Sequence, residues 1–377
     1  MKSFKTVNDE IFGPVRVFDY DTNLKKSIPV DVRKRMCKYP FTTLQISNWG
    51  AAHVCCAEWS QYSVGNIFQE SILDIWNGPK IQAFRDSMLD GSYKYCSVNC
   101  PHLMSDNSHS FQPKESLLEQ MDKDRIYELI FAVDNSCNLH CPSCRNENIS
   151  TLDSIRYEKL LKTTTNILDQ LFSNPHDKKT IINFDSAGEL FHSKMWRTLI
   201  DTHPLFVNKE LWPNVEFLLT TNGVMLTPKI QKKYNKILND TLQIRISVDA
   251  GNKEAYEKVR PPAKWERLLE NLDYLYENYL QNKTMKHGWA WNIILQKDNY
   301  QSIPDMIRLA ETRYSDELPQ LWITNILQWP HLNNDLYSDM AVWDSKHPEY
   351  NKLIETMNSD VVLNYTGYIN NYFRKDK

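Results

Sequence analysis

Residues Ile126 to Cys144 read I-Y-E-L-I-F-A-V-D-N-S-C-N-L-H-C-P-S-C. An apolar run of strand length, Tyr127 to Val133, ends in a polar turn at Asp134, Asn135 and Ser136. Cys137, Cys141 and Cys144 follow at once, spaced C-x3-C-x2-C. A strand fixes where the loop begins, and the short spacings let the thiolates converge on one soft metal centre. Three protein ligands leave one metal position open for a substrate or cofactor, which is the arrangement of a reactive site. A structural zinc loop, with His140 or a distant cysteine as fourth ligand, is the alternative.

Downstream of this loop, strand-like and helix-like segments alternate. Strands are predicted at Tyr127–Val133, Thr180–Phe184, Val215–Thr220, Leu242–Val248, Ala290–Leu295 and Leu321–Ile326. Helical patterns lie between them, at Tyr157–Phe172, Pro228–Ile237, Trp265–Tyr279 and Ser302–Arg313. Such βα repeats imply an α/β fold with a parallel sheet, and right-handed crossovers would curl it into a partial barrel. In α/β barrels the chemistry sits at the carboxyl ends of the strands, where the cysteine loop falls.

The strand ends carry further signals. Ala187, Gly188 and Glu189 follow the second strand, where a glycine lets backbone approach closely and a carboxylate can meet an ammonium partner. Glu189 could equally open the next helix. Asn222-Gly223 closes the third strand and is also an ordinary turn pair. Ser247 and Asp249 end the fourth, Arg260 lies in Y-E-K-V-R-P-P downstream, and Gln296 and Asn299 stand at the mouth of the fifth.

Together these residues resemble the radical S-adenosylmethionine (SAM) superfamily. The resemblance implies a partial (β/α)6 TIM-like barrel over residues 125–330 and a [4Fe–4S] cluster on Cys137, Cys141 and Cys144, with its fourth iron offered to SAM. Ala187, Gly188 and Glu189 are similar to the family's G-G-E motif, which meets the methionine amino group; Ala187 in place of glycine requires a negative φ there. The same resemblance implies cofactor contacts from Asn222 and Gln296, and from Ser247 to the SAM carboxylate or ribose. It gives Arg260 the carboxylate and Asp249 a ribose or substrate hydroxyl.

Before the barrel, Cys37 precedes two β-prone runs that flank Asn48, Trp49 and Gly50 and read as a hairpin. Cys55 and Cys56 follow, then I-F-Q-E-S-I-L-D-I-W-N-G-P-K-I-Q-A-F-R-D-S-M-L at helical spacing, then Cys96 and Cys100. Cys37, Cys55, Cys96 and Cys100 are a closed set for a cluster with no open iron, or for a zinc knuckle. With Gly50, Gly65-Asn66, the I-L-D-I-W-N helix and Arg85 they resemble the SPASM/Twitch auxiliary-cluster domains of radical SAM enzymes. The unit would span residues 1–105, an irregular entry over 1–36 included; 106–124 would link it to the barrel, and 331–377 would form a C-terminal cover. Neighbours on a strand face opposite ways, so Cys55 is taken as the ligand and Cys56 as a small buried residue or a hydrogen-atom donor to a substrate radical.

A chain of 377 residues can bury a large core, and its 11 Trp and 19 Tyr read as core and pocket lining. The formal charge of −3 comes without a basic stripe, so nothing points to nucleic acid. With no signal peptide or membrane span evident, a cytoplasmic location is expected, and eight cysteines there read as ligands or catalytic groups. The resemblance implies an enzyme that cleaves SAM reductively, drawing electrons from a partner such as flavodoxin or ferredoxin. Its substrate would be a small sugar-like molecule, oxidised or epimerised, or else a peptide. A non-catalytic electron carrier or cluster scaffold is the contrasting class.

Overall fold

A computed structural model of the chain describes residues 4–18, 34–57, 59–60, 62–97, 100, 102–103, 110–122, 125–185, 187–281, 285–329 and 331–370. The architecture is mixed α/β with a large, mostly parallel sheet. The chain divides into two compact units. The first comprises Met1–Val133, Glu158–Asn183 and Glu210–Val215; the second comprises Asp134–Tyr157, Phe184–Lys209 and Glu216–Lys377.

In the first unit, β1 (Phe4–Asp9) and β2 (Gly13–Phe18) pair antiparallel, so the expected irregular entry opens as a hairpin. Residues 27–30 of that entry, S-I-P-V, lie outside the described residues. After β3 (Arg35–Cys37) come β4 (Thr43–Ser47) and β5 (Ala51–His53), paired antiparallel about the N-W-G turn. Gly50 takes φ +77° there, a conformation that favours glycine. A short β6 (Gly65–Asn66) pairs with β5. Helix Ile72–Asn77 is capped by Ser71, whose Oγ accepts from Asp74 N at 3.1 Å, and Gly78-Pro79 starts a second helix, Pro79–Leu89.

The expected linker over 106–124 is structured where it is described. Strand β7 (Phe111–Pro113) pairs antiparallel with β3, and a helix, Lys114–Gln120, follows. Phe111 and Leu117 are the reason: both are buried in one apolar cluster with Met36, Phe41, Met88 and Tyr93. Two apolar residues among polar ones give no visible period, so the sequence hid their packing. Residues 104–109 lie outside the described residues. Strand β8 (Glu128–Ala132) then lies parallel to both β4 and β9 (Thr180–Phe184).

In the second unit, β10 (Val215–Thr221), β11 (Thr241–Ser247), β12 (Trp289–Leu295), β13 (Gln320–Asn325) and β14 (Ile369–Asn370) run parallel in that order. Strands β8 to β13 begin and end within one residue of the sequence-based bounds. Their alternation sets the two faces apart. Phe217, Ile244, Ile246, Trp291, Leu321 and Ile323 are buried on one face, where helix side chains meet strands as in the pairs Phe206–Phe217 (5.8 Å) and Trp291–Tyr314 (5.8 Å between centroids). The other face is largely polar. The expected cover segment forms helices Asn334–Met340, Tyr350–Met357 and Asp360–Leu363, then contributes β14 to the sheet edge. Among the described residues no helix is long and apolar enough to cross a membrane.

Candidate functional site

The turn after β8 is held by its own side chains. Asp134 accepts from Ser136 N at 2.8 Å and from Ser193 Oγ at 2.5 Å, which ties the start of the cysteine loop to the helix Lys194–Thr202 that Ser193 caps. Further on, Cys137 N donates to Ile149 O at 2.8 Å and His140 N to Pro261 O at 3.0 Å. Cys144 N and Arg145 N both donate to Cys141 O, closing a tight turn between the second and third cysteines. Cys137 and Cys141 are buried and Cys144 is exposed.

Three N–H donors are aimed at this sulfur set. Leu139 N lies 3.4 Å and Asn222 Nδ2 3.7 Å from Cys137 Sγ, and Arg145 Nη2 lies 3.6 Å from Cys144 Sγ. Such donors stabilise thiolate charge, so the loop suits sulfurs that are ionised on a metal. Burial is the main cause that pushes the free Cys137 thiol up to about 11, with the Leu139 N–H opposing and the Glu189 charge reinforcing; burial also raises Cys141, with the Arg260 guanidinium opposing.

Gly188 explains how the second strand end meets this loop. A Cβ there would come within 2.3 Å of Ser136 O and 2.6 Å of Asp134 O, both backbone atoms that cannot step aside. Glu189 N donates to Ser136 O at 2.9 Å across the same contact. The glycine thus serves close packing of loop on loop. Gly188→Ala is expected to destabilise the protein by about 1–3 kcal/mol through overpacking and to cut iron bound by the loop, read as thermal midpoint and iron content. An unchanged midpoint and full iron would show the contact to be slack. Ala187 has no positive φ, as its place in the motif requires, and its carbonyl accepts from Arg145 Nη2 at 2.7 Å.

Glu189 is fully buried, and its carboxylate accepts from Thr221 Oγ1 (2.7 Å), Asn222 N (2.6 Å) and Phe191 N (3.3 Å). Burial raises its pKa while those bonds work the other way. Three of its roughly four lone-pair sites are therefore used within the protein, and it anchors the end of β10. Asn222, anchored by that bond, also donates Nδ2 to Asn138 Oδ1 at 2.8 Å.

At the fourth strand end, Asp249 takes φ +58° and is buried with its carboxylate fully engaged. Oδ1 accepts from Ile294 N at 2.6 Å and Oδ2 is ion-paired with Arg260 Nη1. The structure therefore joins to each other two residues that the sequence suggested as separate cofactor contacts. Arg260 Nε remains buried without a partner. Its charge is opposed by burial and favoured more strongly by Cys141 and Asp249, so its pKa is raised. Ser247 is half-buried at the end of β11, its hydroxyl without a hydrogen-bond partner among the described residues. Gln296 is buried and its Nε2 has no partner, whereas Asn299 caps the turn, its Oδ1 accepting from Gln296 N and its Nδ2 donating to Asp249 O and Ile294 O. His331 is half-buried, its ring 3.1 Å from Pro142 O within the cysteine loop.

Two further residues belong to this site. Arg145 clamps Asn135 O (2.8 Å) and Ala187 O beside Cys144; its only signal in the sequence was a cation directly after the third cysteine. Tyr256 is fully buried with an unpartnered hydroxyl, and its pKa is raised by burial, with Arg260 opposing and Cys141 reinforcing. It lies four residues before Arg260 in helix Lys253–Val259, whose C-cap is Arg260, so the two share a helix face. Buried unpaired donors at Tyr256, Arg260 and Gln296 are groups that a polar ligand would satisfy.

In the first unit, Cys55 lies within electrostatic reach of Cys96, Cys37 and Cys100, in that order, with Cys56 last. Cys56 is exposed, so it is not the small buried residue the sequence suggested. Cys96 bridges Ser60, and Cys37 pairs across to Phe111, so separate strands bring these thiols together. Burial pushes Cys37 up to about 12 and raises Cys55, Cys96 and Cys100 as well. Four crowded thiols, Cys100 buried and the other three half-buried, need a cation to be held ionised, which fits a metal cluster. Cys55→Ser is expected to lower the iron retained by this set, and Cys56→Ser to leave it unchanged, by iron analysis after anaerobic reconstitution; the reverse order would put Cys56 at the metal. Among the described residues no three His, Cys, Asp or Glu side chains stand together so as to hold a metal ion. A cluster that places each thiolate on a different iron needs wider spacing than one zinc ion does.

Residues 37–101 match the family model of the SPASM iron–sulfur cluster-binding domain. No curated protein matches the chain. The matched segment contains Cys37, Cys55, Cys96 and Cys100, and through it the chain is associated with the radical SAM enzymes.

Proposed function

We propose that the chain is a radical SAM enzyme whose parallel strands form a partial barrel around the cysteine loop, with an auxiliary [4Fe–4S] cluster in the matched segment. Cys137, Cys141 and Cys144 would hold a [4Fe–4S] cluster with one iron open to SAM, and such a cluster, once reduced by a protein electron donor, would supply the electron for cleavage of SAM to methionine and a hydrogen-abstracting 5′-deoxyadenosyl radical. The chain's own residues do the rest. Leu139, Asn222 and Arg145 direct N–H groups at the sulfurs and stabilise their charge. Arg260, fixed by Asp249, keeps Nε unspent for an anionic or carbonyl oxygen, and Tyr256 and Gln296 offer further donors. Ser247 is free to meet a carboxylate or ribose.

The observation that carries this reading is the conjunction of three sulfur-directed donors with three buried, unpaired polar groups, drawn from the segments that follow β8, β10, β11 and β12. An electron carrier has no use for the second set. The reaction would oxidise or epimerise a small molecule, sugar-like in the reading from sequence, with electrons from a flavodoxin- or ferredoxin-type protein and a cytoplasmic setting. Anaerobic reconstitution followed by dithionite and SAM tests it. Formation of 5′-deoxyadenosine and methionine in equal amounts is expected; a colourless zinc protein, or a brown one that leaves SAM intact, overturns it.

A further inference from the structure

The polar face of the second unit's sheet is built to a plan. Strand register sets Thr220, Arg245, Ala290 and Gln320 in one row and Ser247, Asn292 and Trp322 in the row one step nearer the strand ends. Opposed residues of a parallel pair point to one face, and so do residues two apart, so all of these share the side away from buried Ile244, Ile246 and Ile323. Arg245 is held by one atom: Nε donates to Gln243 Oε1 at 3.1 Å, and the guanidinium lies 5.7 Å from the Trp322 ring centroid. Neither terminal nitrogen of Arg245 has a hydrogen-bond partner or an ion pair among the described residues. Thr220 Oγ1, its neighbour in the row, is buried and also unpartnered.

Asp185 supplies the opposite charge. It is one residue past β9, in phase with Asn183 and out of phase with Phe184, which packs on Trp196. It keeps accessible surface although protein surrounds it on most sides, as a residue lining a recess does. Burial raises its pKa, and Arg245 is the one charge that opposes this. Yet the two form no ion pair within bonding distance, and Asp185 has no other partner among the described residues. Opposite charges that sense each other across a recess, each with its bonding atoms unspent, complement a ligand that carries both signs.

We propose that this recess binds the substrate, and that the substrate is a small zwitterion of amino-acid type, its carboxylate on the two free Arg245 nitrogens and its ammonium on Asp185. The proposal rests on the radical SAM reading only in treating the polar face as a substrate wall. It narrows the small-molecule reading from a neutral sugar-like alcohol to a doubly charged one. A residue inside a peptide carries neither charge, so the same wall disfavours peptide modification.

Saturation-transfer NMR on the reconstituted full chain tests this with the common α-amino acids, their N-acetyl and carboxamide derivatives, and glucose as a neutral probe. At least one free amino acid is expected to bind, with either cap weakening it by about tenfold or more, the loss of one charge-assisted contact. Arg245→Gln should abolish the preference for carboxylate over carboxamide, and Asp185→Asn the preference for amine over N-acetyl. Each variant loses one discrimination and keeps the other, which a general unfolding would not produce. Arg245→Lys keeps the charge without the planar fork and should restore part of the carboxylate preference. The proposal is overturned if glucose or the capped derivatives bind as well as the zwitterions, if no free amino acid binds, or if both variants keep both preferences. Wild-type protein that yields 5′-deoxyadenosine but binds no zwitterion defeats the recess and leaves the reaction class standing. Protein that binds zwitterions as described but leaves SAM intact supports the recess and defeats the reaction class.

Discussion

Reconstitution of a Cys137→Ala, Cys141→Ala, Cys144→Ala variant is expected to give about four iron atoms per chain where the unaltered protein gives about eight. No 5′-deoxyadenosine should form from it. The expectation comes from the separation of the two sulfur sets: Cys137, Cys141 and Cys144 lie on one loop of the second unit, and Cys37, Cys55, Cys96 and Cys100 lie in the first. The loop's anchors, Asp134, Glu189 and the Ile149 and Pro261 carbonyls, do not involve the sulfurs, so the variant should fold. Loss of both clusters together would mean that the sets are not independent. Retention of all the iron would place the metal elsewhere.

Arg260→Gln is expected to be the most damaging single substitution at the site. It removes the cation from Asp249, a carboxylate 1% exposed whose other oxygen is committed to Ile294 N. Breaking a buried pair by removing one partner typically costs about 3–5 kcal/mol, because the remaining charge is left uncompensated. Denaturant unfolding should show that loss, and Asp249→Asn added to Arg260→Gln should recover much of it. SAM binding should stay impaired in the double variant, because the Arg260 Nε donor is still missing. Full recovery of SAM affinity along with stability would make the pair purely structural.

Much of the fold was legible because the chain writes its period plainly. E-L-I-F-A at β8 sits in an apolar run of strand length that stops at the polar Asp134, and the bounds of β8 to β13 were readable to one residue. What could not be read was partnership. Nothing in T-L-Q-I-S says that β4 will lie parallel to β8, since a strand's pattern encodes its faces and not its neighbours. The same limit hid β7, whose burial depends on residues far along the chain.

At the site, residue types were legible and their mutual pairing was not. Asp249 and Arg260 both read as cofactor contacts, yet eleven residues apart they meet each other first. Glu189 read as an ammonium partner and is committed to Thr221, Asn222 and Phe191. Tyr256 gave no signal of its own, because a tyrosine in an amphipathic helix is ordinarily core. Arg245 was read only as strand, since the use of a polar strand residue depends on which residues stand opposite it.

The central claim is that the cluster of the Cys137–Cys144 loop has an iron that takes SAM directly. Electron–nuclear double resonance of the reduced protein with SAM labelled at its methionine nitrogen tests this most closely. A coupling from that nitrogen to the loop's cluster, absent in the triple alanine variant, is the result the account requires. A spectrum that SAM leaves unchanged, in protein carrying both clusters, would contradict it.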